Sequence, residues 1–299
     1  MQAGKAKHGA KKGRSMIVVT GATGMVGGDI VRTLSQQGVA ARAMARNPKK
    51  AINLPGIAWV TGDLAKPETL PAAFEGADTL FLVSSIGEDT VELQHNGIEA
   101  ARNAGVQRIV KLSAFGATER TKAPILIWHY QVEEEMKKSG MDWTILQPHH
   151  FMQNLLTQTQ YIINDGVVYS PSGDGKIPYI DARDIAAVAV ATLTQPGHQG
   201  KTYVVTGSEA LSYREATEII SKTIGKTLRF IDESPEDARA RRTREGYSPA
   251  IIEGILVIGA HQRAGGRTVT ITNVVVDLTG RAPRTFPEFA RDHAAMFRS

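Results

Sequence analysis

Apolar residues in this chain fall into short unbroken runs, separated by segments in which they return every three to four positions. The first run, Met16-Ile17-Val18-Val19-Thr20, predicts a strand buried on both faces. Gly21-Ala22-Thr23-Gly24-Met25-Val26-Gly27-Gly28 follows it, and an apolar-faced helix is expected over 29–37. Further runs predict strands at 40–46, 58–64, 79–85, 108–113 and 142–146. Helical spacing predicts helices over 67–74, 91–104 and 131–138, the last two closed by Gly105 and Gly140. Strands that alternate with helices pair in parallel through right-handed crossovers. The expected fold is therefore α/β, a doubly wound parallel (Rossmann) sheet of six strands whose ligand lies across their carboxyl ends.

The glycine-rich segment after the first strand has the form of a phosphate cradle. Without side chains there, backbone N–H groups and the positive end of the next helix approach a pyrophosphate. Gly21, Thr23, Gly24, Met25, Val26 and Gly27 are the candidate contacts. An NAD-preferring protein places an acid at the end of the second strand, about twenty residues past the turn. Here no Asp or Glu occurs between Asp29 and Asp63, and the strand runs into Arg46-Asn47-Pro48-Lys49-Lys50. Arg46 and Lys50 supply fixed positive charge for a 2′-phosphate, so NADP(H) is expected in preference to NAD(H). The other strand ends complete the site. Asp63 and Leu64 are placed beside the adenine, with a helix cap at Pro67 as the equal alternative for Asp63. Val83, Ser84 and Ser85 are placed along the dinucleotide, Ser113 with Ala114-Phe115 near the nicotinamide, and Pro148-His149-His150-Phe151 on the substrate side.

Composition narrows the function classes. The chain has 299 residues and a formal net charge of +5. Lys5, Lys7, Lys11, Lys12 and Arg14 sit in an acid-free amino-terminal arm; without them 30 basic residues face 30 acidic ones. The body is neutral, so no nucleic-acid groove is expected, and the arm 1–15 is expected to be disordered. Zero cysteines exclude disulfides, thiolate nucleophiles and cysteine-bound metals. No run approaches the roughly twenty apolar residues of a membrane helix, which points to a cytoplasmic protein that engages no membrane. No His or acid recurs at metal-ligand spacing, so no metal is expected. We divide the chain into the arm 1–15, an NADP-binding Rossmann domain 16–155, and returning strands with a smaller substrate-binding lobe over 156–299. In that lobe Ser212-Tyr213-Arg214-Glu215 is a capping box opening a helix to Ile224, and Ser234-Pro235-Glu236-Asp237 starts another. The arginine-rich run 238–245 is expected to be a solvated helix face, and residues 247–259 a helix over the mouth of the site. Asp181-Ala182-Arg183-Asp184 is expected to start a helix and pair charges.

Several of these segments together carry a family resemblance. Gly21-Ala22-Thr23-Gly24, Arg46-Asn47-Pro48, Gly62-Asp63-Leu64, the stretch from Ser139 to Pro148, Asp181-Ala182-Arg183-Asp184-Ile185-Ala186 and Leu278-Thr279-Gly280-Arg281-Ala282-Pro283 resemble the NmrA-like atypical short-chain dehydrogenases/reductases. Within them the chain looks most like the branch containing NADPH-dependent quinone and triphenylmethane-dye reductases. The resemblance implies hydride transfer to a small aromatic substrate by a monomer or homodimer. Its alternatives are a non-catalytic NADP-sensing regulator and a tailoring enzyme of aromatic polyketide or other secondary metabolism. The chain departs from the usual Tyr-x-x-x-Lys pair. Counting back from Ser139-Gly140, His129 falls where many relatives have the lysine, Ile125 where the tyrosine would be, and Tyr130 points about a hundred degrees away. His129, His150 and Ser113 are therefore the candidate catalytic residues, since imidazole can donate a proton near neutral pH. The competing account of His129 is a surface hydrogen bond to Glu133 one turn on. Of the adjacent histidines, His150 rather than His149 is expected to face the pocket.

Overall fold

A computed structural model describes residues 15–298, and describes the side chains of all of these but Lys50. The expected arm, Ser15 apart, lies outside the described residues. Seven strands form one parallel sheet in the order β3-β2-β1-β4-β5-β6-β8. They are β1 (Ile17–Val19), β2 (Ala41–Ala45), β3 (Ile57–Thr61), β4 (Thr79–Leu82), β5 (Arg108–Leu112), β6 (Asp142–Pro148) and β8 (Lys201–Val205). The order reverses between β1 and β4, which opens the crevice that doubly wound sheets use for ligands. The seventh strand was not read from the sequence because β8 lies on the sheet's edge, with Lys201 and Thr202 exposed and no unbroken apolar run.

Helices cover both faces because the central strands β1, β4, β5 and β6 bury apolar residues on both. Ile17 and Val19, with Phe81, Val110 and Leu146, pack under α1 (Met25–Gln36) and α6 (Ala182–Thr194). Val18, Leu80, Leu82, Ile109 and Ile145 pack under α2 (Leu70–Phe74), α3 (Thr90–Asn103) and α4 (Pro124–Lys138). Two expected helices are longer than predicted. α1 begins at Met25, so Gly27 and Gly28 are helical, and α4 begins at Pro124, with proline at the first position where its missing N–H costs nothing.

A second core follows β6. Here β7 (Val167–Ser170) pairs in parallel with β9 (Arg229–Asp232). Around them lie α5 (Thr159–Asn164), α7 (Tyr213–Ile224) and α11 (Phe286–Asp292), with Tyr179, Tyr213, Phe286, Phe289 and Phe297 buried together. The Ser212–Glu215 capping box forms as expected. Asp181 caps α6 through the Arg183 N–H, and Asp184 accepts from the backbone and the guanidinium of Arg284. The helices α8 (Pro235–Arg244), α9 (Pro249–Ala264) and α10 (Val274–Thr279) complete the described chain. The arginine-rich run differs from expectation. Arg241 and Arg242 on α8 are buried, because both guanidinium groups donate to Glu233, itself 4% exposed, at 2.7–3.3 Å. Ala238 is buried as well, and only Arg239, Ala240, Thr243, Arg244 and Glu245 form a solvated face. Among the described residues no helix is long and apolar enough to cross a membrane, and no cluster of His, Asp and Glu could hold a metal ion.

Candidate active site

The carboxyl ends of β1 to β6 open into one cleft of about 1690 Å³. At its floor the β1–α1 loop is pinned from both sides. The Thr20 hydroxyl donates to the Val83 carbonyl at 2.7 Å and accepts the Val83 N–H at 2.8 Å, which ties β1 to the end of β4. Gly21 has a φ of +58°, and a Cβ there would lie 2.7 Å from Val83 Cγ1. A Cβ on Gly27 would lie 2.2 Å from the Gly21 carbonyl oxygen, closer than any real side chain can come. The loop and the first turn of α1 therefore touch backbone to backbone. Gly24 stands at the helix N-cap without a side-chain acceptor, so the first N–H groups of α1 are left for a ligand. Met25 and Ile86, 49% and 43% exposed, give this part of the cleft apolar walls that a bound group would cover. A dinucleotide pyrophosphate fits such a cradle.

The other predicted cofactor positions line the same cleft. Gly21, Thr23, Gly24, Met25, Val26, Gly27, Arg46, Asp63, Leu64, Val83, Ser84, Ser85, Ser113, Pro148 and Phe151 all face it. The side chain of Lys50 falls outside the description. Arg46 is exposed at the end of β2, and no described side chain pairs with it. Asp63 does not cap the turn at Pro67. Lys66 holds that cap position, and the Asp63 carboxylate instead accepts the Ala65 N–H at 3.0 Å. The Asn96 amide donates to the Leu64 carbonyl at 2.9 Å and fixes this wall.

Away from the cradle the cleft is bounded by α4, by the segment after β6, and by α9 with residues 267–272. Helix α9 lies close to α4 because Gly254 meets Ile125, where a Cβ would come within 2.8 Å. Ile258, His261 and Gln262 from α9 line the cleft, which places the helix expected over the mouth as one of its walls. Both adjacent histidines line it, contrary to the expectation that only His150 would. His149 stacks on Phe115, with ring centroids 4.6 Å apart, and its Nδ1 accepts the His150 N–H. His149 Nε2 is buried without a hydrogen-bond partner among the described residues. His150 Nε2 accepts from the Tyr213 hydroxyl at 2.8 Å and from the Asn154 amide at 3.3 Å, so its ring proton sits on Nδ1. Burial, with the neighbouring His150 second, holds His149 down at about 3, and burial holds His150 at about 4. Neither is a proton donor from an imidazolium near neutral pH.

His129 and Glu133 are both buried, at 6% and 3% exposure, and do not form the surface pair considered above. Glu133 accepts from the Ser113 hydroxyl and from the Gln147 amide at 2.9 and 3.2 Å. His129 instead meets Lys111 Nζ through Nδ1 at 3.2 Å. Lys111 lies on β5 and is wholly buried. Sequence reasoning missed it because it read β5 as a plain apolar strand. The signal was its parity, since Ile109, Lys111 and Ser113 share one face of a strand expected to be buried.

Known proteins resemble this chain over nearly its whole length. The profile of the NmrA-like family matches residues 13–290. An NAD(P)H azoreductase of Xenophilus azovorans is 38% identical over 284 residues, covering 94% of this chain and 99% of the relative. A (4-alkanoyl-5-oxo-2,5-dihydrofuran-3-yl)methyl phosphate reductase of Streptomyces griseus is 37% identical over 285 residues, with 94% and 99% covered. The crystal structure of an NADPH-dependent quinone oxidoreductase of Escherichia coli complexed with NADPH superposes with a TM-score of 0.83 at 27% identity. It covers 93% of this chain and 99% of that one.

Proposed function

The chain belongs to the NmrA-like family, and on that premise we propose that it is an NADPH-dependent reductase of quinones and related conjugated aromatic compounds. The observation that carries this is the continuity of the cleft. A cradle of uncapped helix N–H groups and glycines opens into a chamber walled by Phe115, Ile125, Phe151 and Ile258. When bound, the reduced dinucleotide supplies a hydride, which carries two electrons. The protein's own residues supply the rest. The α1 N-terminus binds the pyrophosphate, Arg46 takes the extra phosphate of NADPH, and the aromatic and aliphatic walls hold a flat acceptor and exclude water. The usual Tyr-x-x-x-Lys pair is missing, and Ile125 and His129 line the cleft. That substitution suits an acceptor that delocalises incoming charge better than an isolated carbonyl, which needs a strong acid at its oxygen.

The purified protein is expected to oxidise NADPH when given a quinone or an azo or cationic dye, and the Gly24→Asp variant to lose that activity by placing a carboxylate at the phosphate site. Arg46→Ala is expected to raise KM for NADPH by on the order of tenfold and to leave KM for NADH nearly unchanged, the cost of one charge-assisted hydrogen bond. Equal effects on both cofactors would remove Arg46 from the discrimination. Tight NADPH binding with no turnover on any acceptor would favour a cofactor-sensing regulator instead.

A further inference from the structure

We propose that Lys111, sealed beneath the cleft, positions His129 and supplies it with a proton, so that the two together deliver to the substrate the proton that hydride transfer leaves wanting. This rests on the reductase function argued above and assigns the proton source within the same site. The geometry is that of a two-step relay. Lys111 Nζ is 3.1 Å from the Leu112 carbonyl and 3.2 Å from His129 Nδ1, with no exposure to solvent. While Lys111 is an ammonium, which has only donors, Nδ1 is the acceptor and the ring proton lies on Nε2. Among the described residues Nε2 has no hydrogen-bond partner and is not buried unpartnered, and His129 lines the cleft, so the N–H is offered to whatever the cleft holds.

The surroundings of Lys111 contain few other charges. Leu82 on β4 and Ile145 on β6 flank it in register, and α3 presents Leu93 and Ile98 to the same apolar cluster. Helix α4 contributes His129 and Glu133, and Glu133 is already occupied by Ser113 and Gln147. A lysine in such a place is costly as a structural element and is easily persuaded to give up its proton. Burial lowers its pKa to about 7, against the pull of Glu133. His129 is held well below the ordinary imidazole value, by burial first and by Lys111 second.

The step balances without an imidazolium. A quinone that accepts a hydride becomes an oxyanion. The His129 Nε2–H bond breaks and an O–H bond forms on that oxyanion, while a Lys111 N–H bond breaks and Nδ1 is protonated. Lysine is left as the amine and histidine as the other neutral tautomer. The reverse passage restores both from water once product has left the cleft.

The test compares wild type with Lys111→Met, which keeps an unbranched apolar stem in the strand, and uses His129→Gln to assign the His129 ring signal by nuclear magnetic resonance. With no cofactor present, the His129 ring in Lys111→Met should titrate at higher pH than in wild type; an unchanged midpoint overturns the coupling. In turnover a quinone requires the proton, whereas a cationic triarylmethane dye takes the hydride on its central carbon and requires none. The variant should lose on the order of tenfold to a hundredfold in kcat with the quinone, the scale of general acid catalysis, with KM for NADPH retained and the dye rate within about twofold. Wild-type kcat with the quinone should fall as pH rises past about 7, where Lys111 loses its proton, and the variant should show no such fall. Equal loss with both acceptors, or a wild-type pH profile in the variant, would overturn the proposal. A wild type that reduces neither acceptor would defeat the reductase function itself and the proton supply with it, while the ring titration still reports whether the pair is coupled.

Discussion

At the scale of single residues, two histidines that line the cleft are held uncharged by burial. His149 and His150 keep their rings neutral because burial disfavours the imidazolium, at about 3 and about 4 respectively. In the unfolded chain both would titrate near the ordinary value of about 6.5. As pH falls below that value, the unfolded state takes up protons that the native state refuses. Stability is thus fully present above about 6.5 and declines as pH approaches 4, with a limiting slope of ~1.4 kcal/mol per pH unit for each histidine. Urea unfolding of wild type and His149→Asn between about pH 7 and pH 5 checks this. The variant should be less stable at neutral pH but should lose stability with acid more gently, by about one proton. Parallel slopes would show that His149 is not the group responsible.

At the scale of elements, ion pairs decide how the segments after β6 are fastened. β9 ends beside Glu233, which receives Arg241 and Arg242 from α8, and Arg241 also reaches Glu245 at 2.7 Å. Removing the acid leaves two guanidinium groups buried without it. Glu233→Ala is therefore expected to cost about 3–5 kcal/mol, and Arg244→Ala on the exposed side of the same helix less than about 0.5 kcal/mol. Thermal unfolding of the two variants measures the contrast, and comparable losses would mean that the buried cluster contributes little. The same contrast shows why the run of arginines read as a solvated face. Its helical periodicity gives no sign of which positions turn inward, because their partner Glu233 precedes the helix and belongs to the loop after β9.

For the molecule as a whole, the cofactor should act as a structural member of the fold. The cradle is formed by contacts among β1, α1 and the end of β4, and the cleft also borders β2, α4, β6 and α9. A ligand that binds only the native state therefore stabilises every one of these elements. NADPH at about a hundred times its Kd should add ~2.7 kcal/mol to the unfolding free energy, and NADH at the same concentration distinctly less. A melting temperature that is equally raised by the two cofactors would contradict the role given to Arg46. A temperature unmoved by either would contradict the cradle.

How much of this was legible in the chain differs from one residue to the next. Gly21, Gly24 and Gly27 announced the cradle, and the lack of any acid between Asp29 and Asp63 carries the proposed preference for NADPH, because both are local features of a strand, a turn and a helix in sequence. Strand alternation likewise determined the doubly wound sheet, since two-sided burial imposes apolar runs that can be read directly. The partners of the buried polar groups were another matter. Lys111 meets His129 eighteen residues away and Arg242 meets Glu233 outside its own helix, while both rings of the His149-His150 pair turn to the cleft. Such contacts depend on how helices settle against the sheet. Periodicity fixes which face of an element is buried, but only packing in three dimensions fixes what that face will touch.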